Sequence, residues 1–324
     1  MGRDKRASDP STSWTGSASG NAAMAVKGGI WRLAPLIVTM AHASPAAADD
    51  RAAAPRADRD SSIHRTVNNG EDFTRPIGRF DLRGRYERLP DDGGAEPEKW
   101  VTTLRTDLWT GLGQGWRLYG RVDLPLVYAH DVTSSFNPKG HARFGVGDLL
   151  TEVAIILPPP TPRLGYGFGV RAVWPTADLD EAGRGKYQIG PLVGLRYSLP
   201  EISPGSFVLI QVRYQRSIAS RNQNKARPDI NQLNVQPKLN VSLSSAWFLT
   251  FFASENIQIN FADGDKLFVP FDLMIGRKFG EKLIASVEYS RGLFHDRGFE
   301  PYEWQLEGRI GYHFLTEGRG RRSE

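Results

Sequence analysis

The chain has no cysteine and no long apolar run, and these two absences exclude whole classes of structure. Without cysteine, its 324 residues can form neither a disulfide framework nor a thiolate metal site. No apolar run reaches the roughly 18 residues that a membrane-spanning helix needs. A β-barrel avoids that requirement, because only every second residue of its strands faces lipid. A hydrophobic content of 40% therefore remains compatible with a membrane protein built from strands.

A strong excess of one charge is also missing, which argues against binding to nucleic acid. The formal net charge is +5, and the basic residues are spread along the chain apart from a short cluster at Arg319, Arg321 and Arg322. A nucleic-acid-binding domain concentrates Lys and Arg on one face. We therefore predict no nucleic-acid partner.

The first 48 residues have the pattern of a secretory signal peptide with an extended N-terminus. Lys27 and Arg32 accompany the short apolar stretch 33–41, and three alanines at 46–48 provide a cleavage site. That stretch is too short for a membrane anchor. Residues 49–72 are rich in Arg, Asp and Ala without periodicity, which predicts a disordered periplasmic lead-in.

Apolar and polar side chains alternate through residues 145–176, GVGDLLTEVAIILPPPTPRLGYGFGVRAVWPT. Glu152 alternates with Val153 in the first half, and Phe168 and Val170 alternate with small or charged residues in the second. Period two is typical of a strand whose two faces meet different environments. The PPPTP between the halves forces a turn. Each half is about ten residues, long enough to cross a bilayer as a tilted strand.

The same alternation recurs in twelve runs between residues 77 and 314. Short connections at 113–115, 158–162, 200–205, 244–246 and 280–282 alternate with longer ones at 89–98, 129–143, 176–185, 217–230, 258–266 and 291–302. Short turns on one side and long loops on the other are typical of outer-membrane barrels, and a soluble β-sandwich does not require this order. Residues 73–315 are therefore predicted to form an all-β fold, a transmembrane antiparallel β-barrel of about twelve strands.

This architecture implies a location and two partners. An even number of strands places both termini in the periplasm, with residues 316–324 as a basic C-terminal tail. Outer-membrane lipid is the first expected partner, and aromatic residues near the run ends would form its interfacial girdles. The barrel-assembly machinery is the second. The last run closes on the aromatic Phe314, as terminal barrel strands usually do, although LTEGRGRRSE follows it.

Charged residues on the polar face of the runs are predicted to line the lumen. Arg or Lys at mid-bilayer on the lipid face costs about 2–4 kcal/mol, so these charges must point inward. The predicted lining residues are Arg79, Asp81, Arg83, Arg105, Asp107, Arg117, Arg121, Asp123, Asp148, Glu152, Arg171, Arg196, Arg213, Lys238, Asp272, Glu288, Glu307 and Arg309. They form either a ladder of paired charges that fills a modest barrel, or a water-filled path whose basic surplus attracts anions.

Neither a catalytic site, a metal site nor a cofactor is predicted. Asp178, Asp180 and Glu181 could bind calcium, but they lack regular ligand spacing, so a solvated loop is favoured. Barrel phospholipases place His and Ser two residues apart on one strand. The only such pair here, His42 and Ser44, lies inside the predicted signal peptide.

Several segments resemble one family of outer-membrane barrels. They are GVGD (145–148), PTAD (175–178), GRGKYQIGP (183–191), QVRYQRS (211–217), NQLNVQPKLNVSL (231–243) and VPFDLMIGRKF (269–279). Their order resembles that of the transporter family named for the MetA pathway of phenol degradation. The resemblance implies a barrel channel in the outer membrane. We therefore predict passive uptake of small solutes, aromatic or anionic. The alternatives are a structural or loop-binding barrel with a plugged lumen and, third, a barrel lipid hydrolase.

Overall fold

The computed structural model describes residues 69–91, 96–134, 136–221 and 227–315. The predicted signal peptide, residues 49–68 of the predicted lead-in and the tail 316–324 lie outside the described residues. Within the described ranges, no helix is long and apolar enough to cross a membrane.

The described residues form one antiparallel sheet of fourteen strands. These are β1 (Gly78–Arg88), β2 (Glu98–Gly113), β3 (Trp116–His130), β4 (Arg143–Val146), β5 (Leu149–Ile156), β6 (Leu164–Trp174), β7 (Lys186–Ser198), β8 (Phe207–Ser220), β9 (Asn231–Ser242), β10 (Trp247–Phe251), β11 (Ile257–Asn260), β12 (Lys266–Phe279), β13 (Leu283–His295) and β14 (Trp304–Leu315).

The sheet closes on itself, because the strand order that runs from β1 through β2 to β12 continues through β13 to β14, which pairs with β1. Two of the wall strands are interrupted. β4 and β5 both pair with β3, and β10 and β11 both pair with β9 and β12. Each of these two pairs of short strands therefore forms one interrupted strand of the wall, so the described wall has twelve strands. The predicted fold class, a closed antiparallel barrel of about twelve strands, is confirmed.

The connections alternate in length, but some loops are shorter than the sequence predicts. β11 continues the wall to Asn260, so the predicted loop 258–266 shrinks to 261–265. β8 and β13 likewise run further than expected, to Ser220 and His295. The polar residues Gln258 and Asn260 gave the appearance of a loop, yet both are paired with β9 in the sheet. Their polarity reflects the water near the loop end of the wall rather than the absence of a strand.

The two faces of the wall meet different surroundings, as the alternation predicts. In β1, Phe80 is 54% exposed on the outer face, whereas Arg79 and Asp81 beside it are buried inside. The outer face presents large apolar side chains on other strands as well, among them Leu104, Val153, Phe168, Val193, Ile210, Ile275, Val287, Leu306 and Ile310. An apolar outer band around a charged interior is the arrangement that lipid outside the barrel requires.

Aromatic rings gather at the loop end of three adjacent strands. The ring centroid of Tyr86 on β1 lies 4.9 Å from that of Trp100 on β2 and 5.1 Å from that of Trp304 on β14. Tyr and Trp favour the membrane–water interface because their rings are apolar and their polar atoms remain hydrated. This group therefore has the composition and position of an interfacial girdle.

Residues 69–77, which we call the plug segment, lie inside the barrel ahead of β1. Asn69, Glu71, Asp72 and Phe73 are all buried there. Residues 69–72 thus belong with the barrel rather than with the predicted lead-in. The reason is that the acidic side chains find cationic partners on the inner wall and Phe73 finds an apolar one.

Glycines on the inner face of β6 and β7 make room for the plug segment. The Phe73 ring lies so close to Gly167 that a Cβ there would come within 3.1 Å of it, and a Cβ on Gly194 would overlap the ring. The ring packs in an apolar cluster with Tyr119, Ala154, Ile156, Leu192, Phe207 and Leu209. The alternating glycines that mark β6 in the sequence therefore serve close packing inside the wall.

Candidate functional site

The lumen is divided between the plug segment and a polar cavity. Asp72 pairs with Arg196 near the end of β7, and Phe73 packs against Phe207 at the start of β8. The short connection 199–206 joins those two strand ends, so the plug segment occupies the short-turn end of the barrel. Toward the long loops there is a cavity of about 300 Å³. Gly70, Glu71 and Phe73 form part of its lining.

Buried ion pairs attach the plug segment to separate strands of the wall. Glu71 accepts hydrogen bonds from Lys238 Nζ at 2.9 Å and from Arg309 Nη1 at 2.6 Å. Asp72 Oδ2 lies 2.7 Å from the Nε of Arg196. These contacts reach β9, β14 and β7. Breaking a buried ion pair by removing one partner costs about 3–5 kcal/mol, so each anchor matters to the position of the segment.

A compact group of charges lies where β1 meets β14. Arg83 Nη1 donates to Glu307 Oε1 at 3.0 Å, and Arg309 Nε lies 3.0 Å from Asp81 Oδ2. Glu307 and Arg309 are on β14, so these ion pairs cross the seam that closes the barrel. This part of the predicted lining therefore forms a ladder of paired charges, which is one of the two arrangements that the sequence predicts.

A second set of charges follows the wall from strand to strand, and we call it the charged row. Arg79 is paired with Asp107, Asp107 with Arg121, Arg121 with Glu152, and Glu152 with Arg171 across β1, β2, β3, β5 and β6. The Nε atoms of Arg79 and Arg121 donate to the Asp107 carboxylate at 2.7 and 2.8 Å. Arg171 Nη2 lies 2.6 Å from Glu152 Oε2. Positive and negative side chains therefore alternate along this row.

Three other predicted lining residues near the same wall differ in their surroundings. Arg105 makes two hydrogen bonds to Asp123, at 2.7 and 2.6 Å. Arg117 lies toward the short turns, with its guanidinium carbon 6.0 Å from the centre of the Trp109 ring. Arg213 lines the cavity, but no ion pair to its guanidinium is found among the described residues.

Asp272 and Glu288 support the interruption between β10 and β11. Asp272 Oδ2 accepts hydrogen bonds from the backbone N–H groups of Ser254 and Glu255, both at 3.0 Å, and Glu288 accepts one from Ser254 Oγ at 3.0 Å. Phe252 begins the interruption with a left-handed φ of 51°. The carboxylates thus replace ladder partners that the wall lacks at this point. The sequence pattern missed the interruption, and the polar residues within an otherwise apolar run were its only signal.

Hydrogen bonds to Asp148 and Glu181 hold the loop 175–185 in place. The two carboxylate oxygens of Asp148 accept hydrogen bonds from the backbone N–H groups of Ala177 and Arg184, at 3.2 and 2.6 Å. Glu181 is only 4% exposed and accepts a hydrogen bond from Ser134. The expectation of a solvated loop holds for Asp178, which is exposed, but not for Glu181, whose partner Ser134 comes from a neighbouring loop. Among the described residues, no group of three or more His, Asp or Glu could hold a metal ion.

The functional residues that the sequence pattern missed are those of the plug segment. Glu71, Asp72 and Phe73 follow a stretch without periodicity, so no strand or helix signal marked them. The available signal was the complementary charge of this segment and the inner wall. An acidic pair beside an aromatic residue, just ahead of a wall with many inward-facing cations, can bind that wall.

Comparisons with known proteins support the fold. No protein-family model and no curated protein matches the chain. The crystal structure of the COG4313 outer membrane channel from Pseudomonas putida F1 is similar with a TM-score of 0.60 at 14% identity, over 76% of this chain and 99% of that one. The NanC porin gives 0.46 at 13% identity, over 73% of this chain and 100% of that one. Outer membrane phospholipase A from Escherichia coli has a TM-score of 0.42 at 12% identity, over 80% of this chain and 99% of that one.

The similarity to the COG4313 channel shows the fold alone, which is that of an outer-membrane β-barrel. The two lower scores carry no argument about function. The resemblance to the MetA-pathway family stays a prediction from the sequence segments.

Proposed function

We propose that the protein is an integral outer-membrane channel through which small solutes, preferentially anions, diffuse passively. The cavity inside the wall carries this proposal. Among the described residues, seven Arg or Lys side chains line it, against five Asp or Glu. A cavity with low-dielectric walls and an excess of one charge concentrates solutes of the opposite charge. Ten of the eighteen predicted lining residues line this cavity and would form the walls of the solute path.

The size of the barrel fits this role. Eight-stranded barrels are filled by their own side chains, whereas barrels of sixteen or more strands leave a wide aqueous channel. Twelve wall strands lie between these limits, and the plug segment narrows the lumen further. A path of this kind would admit small solutes and exclude large ones.

The rest of the assignment follows from the same architecture. An even number of wall strands would place both ends of the barrel on the short-turn side, which faces the periplasm in outer-membrane barrels. Membership of the MetA-pathway family, delivery by a signal peptide and insertion by the barrel-assembly machinery belong to this proposal. The resembling segments support the family, and the apolar stretch and alanines of 33–48 support the signal peptide. The terminal strand that ends near Phe314 supports insertion by the assembly machinery.

One observation favours a second candidate, a barrel closed by its plug whose loops carry the function. The plug segment is buried and held by several ion pairs, and the loop 175–185 is fastened by Asp148 and Glu181. Such a barrel would present ordered loops at the surface and pass no solute.

Conductance in planar bilayers distinguishes the two candidates. The full chain, refolded in detergent, would be added to a bilayer bathed in potassium chloride, with detergent alone as the control. We expect discrete current steps and, in a salt gradient, a reversal potential on the anion-selective side. If neither the wild-type protein nor a variant with a displaced plug segment produces current steps, the channel proposal is contradicted. Swelling of liposomes in small solutes would then establish passage directly.

A further inference from the structure

The alternation of the charged row breaks at Gly190. Going round the wall, Asp107, Arg121, Glu152 and Arg171 are paired in succession, and Arg171 is paired with Gly190 on β7. The next residue along the row would have to be negative to continue the alternation. Glycine has no side chain, so the row carries no charge at this position on the inner face.

The side chain of Arg213 on β8 lies over Gly190 and occupies the space that a side chain there would need. A Cβ built on Gly190 would be 3.3 Å from Arg213 Cγ and 3.4 Å from its Cδ. Two cations, Arg171 and Arg213, therefore flank a site from which the intervening carboxylate is missing. Every other cation of the row has a carboxylate from the neighbouring strand.

The guanidinium of Arg213 is buried without a counter-ion in the described part of the chain. The residue is 8% exposed, and its Nε atom has no hydrogen-bond partner there. Glu152, the carboxylate that precedes Arg171 in the row, already accepts a 2.7 Å hydrogen bond from Arg171 Nε. A buried cation without a partner is unfavourable, and the unfavourable energy is relieved when an anion binds.

The surroundings of Arg213 define the chemistry of such an anion. The planar guanidinium matches a carboxylate through two parallel hydrogen bonds. Gln211, two residues earlier on the same face of β8, also lines the cavity, as do the apolar side chains of Phe73 and Leu150. Glu71 and Glu152 line it too, so a second negative charge on the solute would be repelled.

We propose that the cavity contains a carboxylate-binding site at Arg213, where the carboxylate of a small, singly charged solute pairs with a guanidinium that has no carboxylate partner among the described residues. The uncharged body of the solute lies against Phe73 and Leu150. The site rests on the proposed function, because it names the substrate class of the same lumen.

Calorimetric titration of the detergent-refolded full chain tests the site without requiring conductance. Benzoate and its uncharged analogue benzamide serve as probes. Wild-type protein is expected to bind benzoate and not benzamide, and Arg213→Gln to weaken benzoate binding by about tenfold or more. Arg213→Lys keeps the charge without the paired hydrogen bonds, so an intermediate loss is expected. Arg216→Gln removes the same charge from an exposed position on the same strand and is the matched control.

Adding a carboxylate at position 190 provides an independent test. Gly190→Asp places a carboxylate beside Arg213 and is expected to abolish benzoate binding, whereas the uncharged Gly190→Asn is expected to retain it to within about threefold. The heat-induced shift in gel mobility shows that each variant is folded.

The outcomes separate the site from the channel. No benzoate binding by the wild type up to about 10 mM, or equal losses in Arg213→Gln and Arg216→Gln, overturns the site. If the protein still conducts ions in that case, the proposed channel function is unaffected. Binding that meets the expectations in a protein without conductance supports the site and removes the channel.

Discussion

The ammonium group of Lys238 donates a 2.9 Å hydrogen bond to the carboxylate of Glu71 and so ties the plug segment to β9. The same carboxylate also receives a hydrogen bond from Arg309 on β14. One side chain of the plug segment thus joins two strands that do not pair with each other. This carboxylate is therefore one of the anchors that hold the plug segment in the lumen.

Replacing Glu71 is expected to loosen the plug. Glu71→Gln leaves Lys238 and Arg309 without a full counter-ion, which we expect to lower the free energy of unfolding by about 3 kcal/mol. Conductance per channel should rise, because the segment no longer blocks part of the lumen. Thermal unfolding and single-channel recording measure the two effects. Glu201→Gln, which removes an exposed carboxylate beside Arg163, is the control, and an equal response in both variants would count against this role.

Filling the space that Gly194 leaves is expected to expel Phe73. A leucine side chain at 194 cannot share that space with the ring, so Gly194→Leu should displace the plug segment and enlarge the current steps. Gly308→Ala is the control, because a Cβ there meets no atom within 4 Å.

A labelling experiment follows the same displacement directly. The chain has no cysteine, so Asn69→Cys introduces a single thiol at a buried position of the plug segment. We expect slow maleimide labelling of this variant alone and fast labelling when Gly194→Leu is added. Equal rates would mean that the plug segment stays in place.

The charged row is expected to set ion selectivity. Arg121→Gln removes one cavity-lining cation while Asp107 keeps its 2.7 Å hydrogen bond from Arg79, so the barrel should still fold. The permeability ratio of chloride to potassium should fall, because the positive excess in the cavity is reduced. Reversal potentials in a potassium chloride gradient measure it, with Arg216→Gln as the control. An unchanged permeability ratio would mean that residues other than Arg121 set the ion selectivity.

A charge on the outer face tests the membrane wall itself. Val153 is 52% exposed within β5, and Val153→Arg should lower the free energy of unfolding by about 2–4 kcal/mol if lipid covers it at mid-bilayer. Val153→Leu should change it little. Urea unfolding in lipid vesicles provides the comparison, and a neutral effect of the arginine would mean that this face meets water.

The sequence predicted the wall far better than the contents of the lumen. Alternation assigns each side chain to a face without knowledge of its neighbours, which is why the inward direction of Arg83 could be expected. Its partner could not, because Glu307 lies 224 positions away and becomes adjacent only through the register of β1 and β14.

Non-local contacts also explain the other misses. The plug segment has no periodicity, and Glu71 and Phe73 are ordered by wall strands far along the chain. The interruption at 252–256 depends on Asp272 from the next wall strand. Patterns within one strand carry no information about such contacts.

The seam between β1 and β14 joins the first wall strand to the last, and Glu71 sits beside it with a hydrogen bond from Arg309. The segment at the start of the barrel therefore completes its binding site only after the final strand has been synthesised and has paired. Until that pairing forms, Glu71 lacks its hydrogen bond from Arg309. A chain truncated before β14 would lack both the closing strand and this attachment for its own plug.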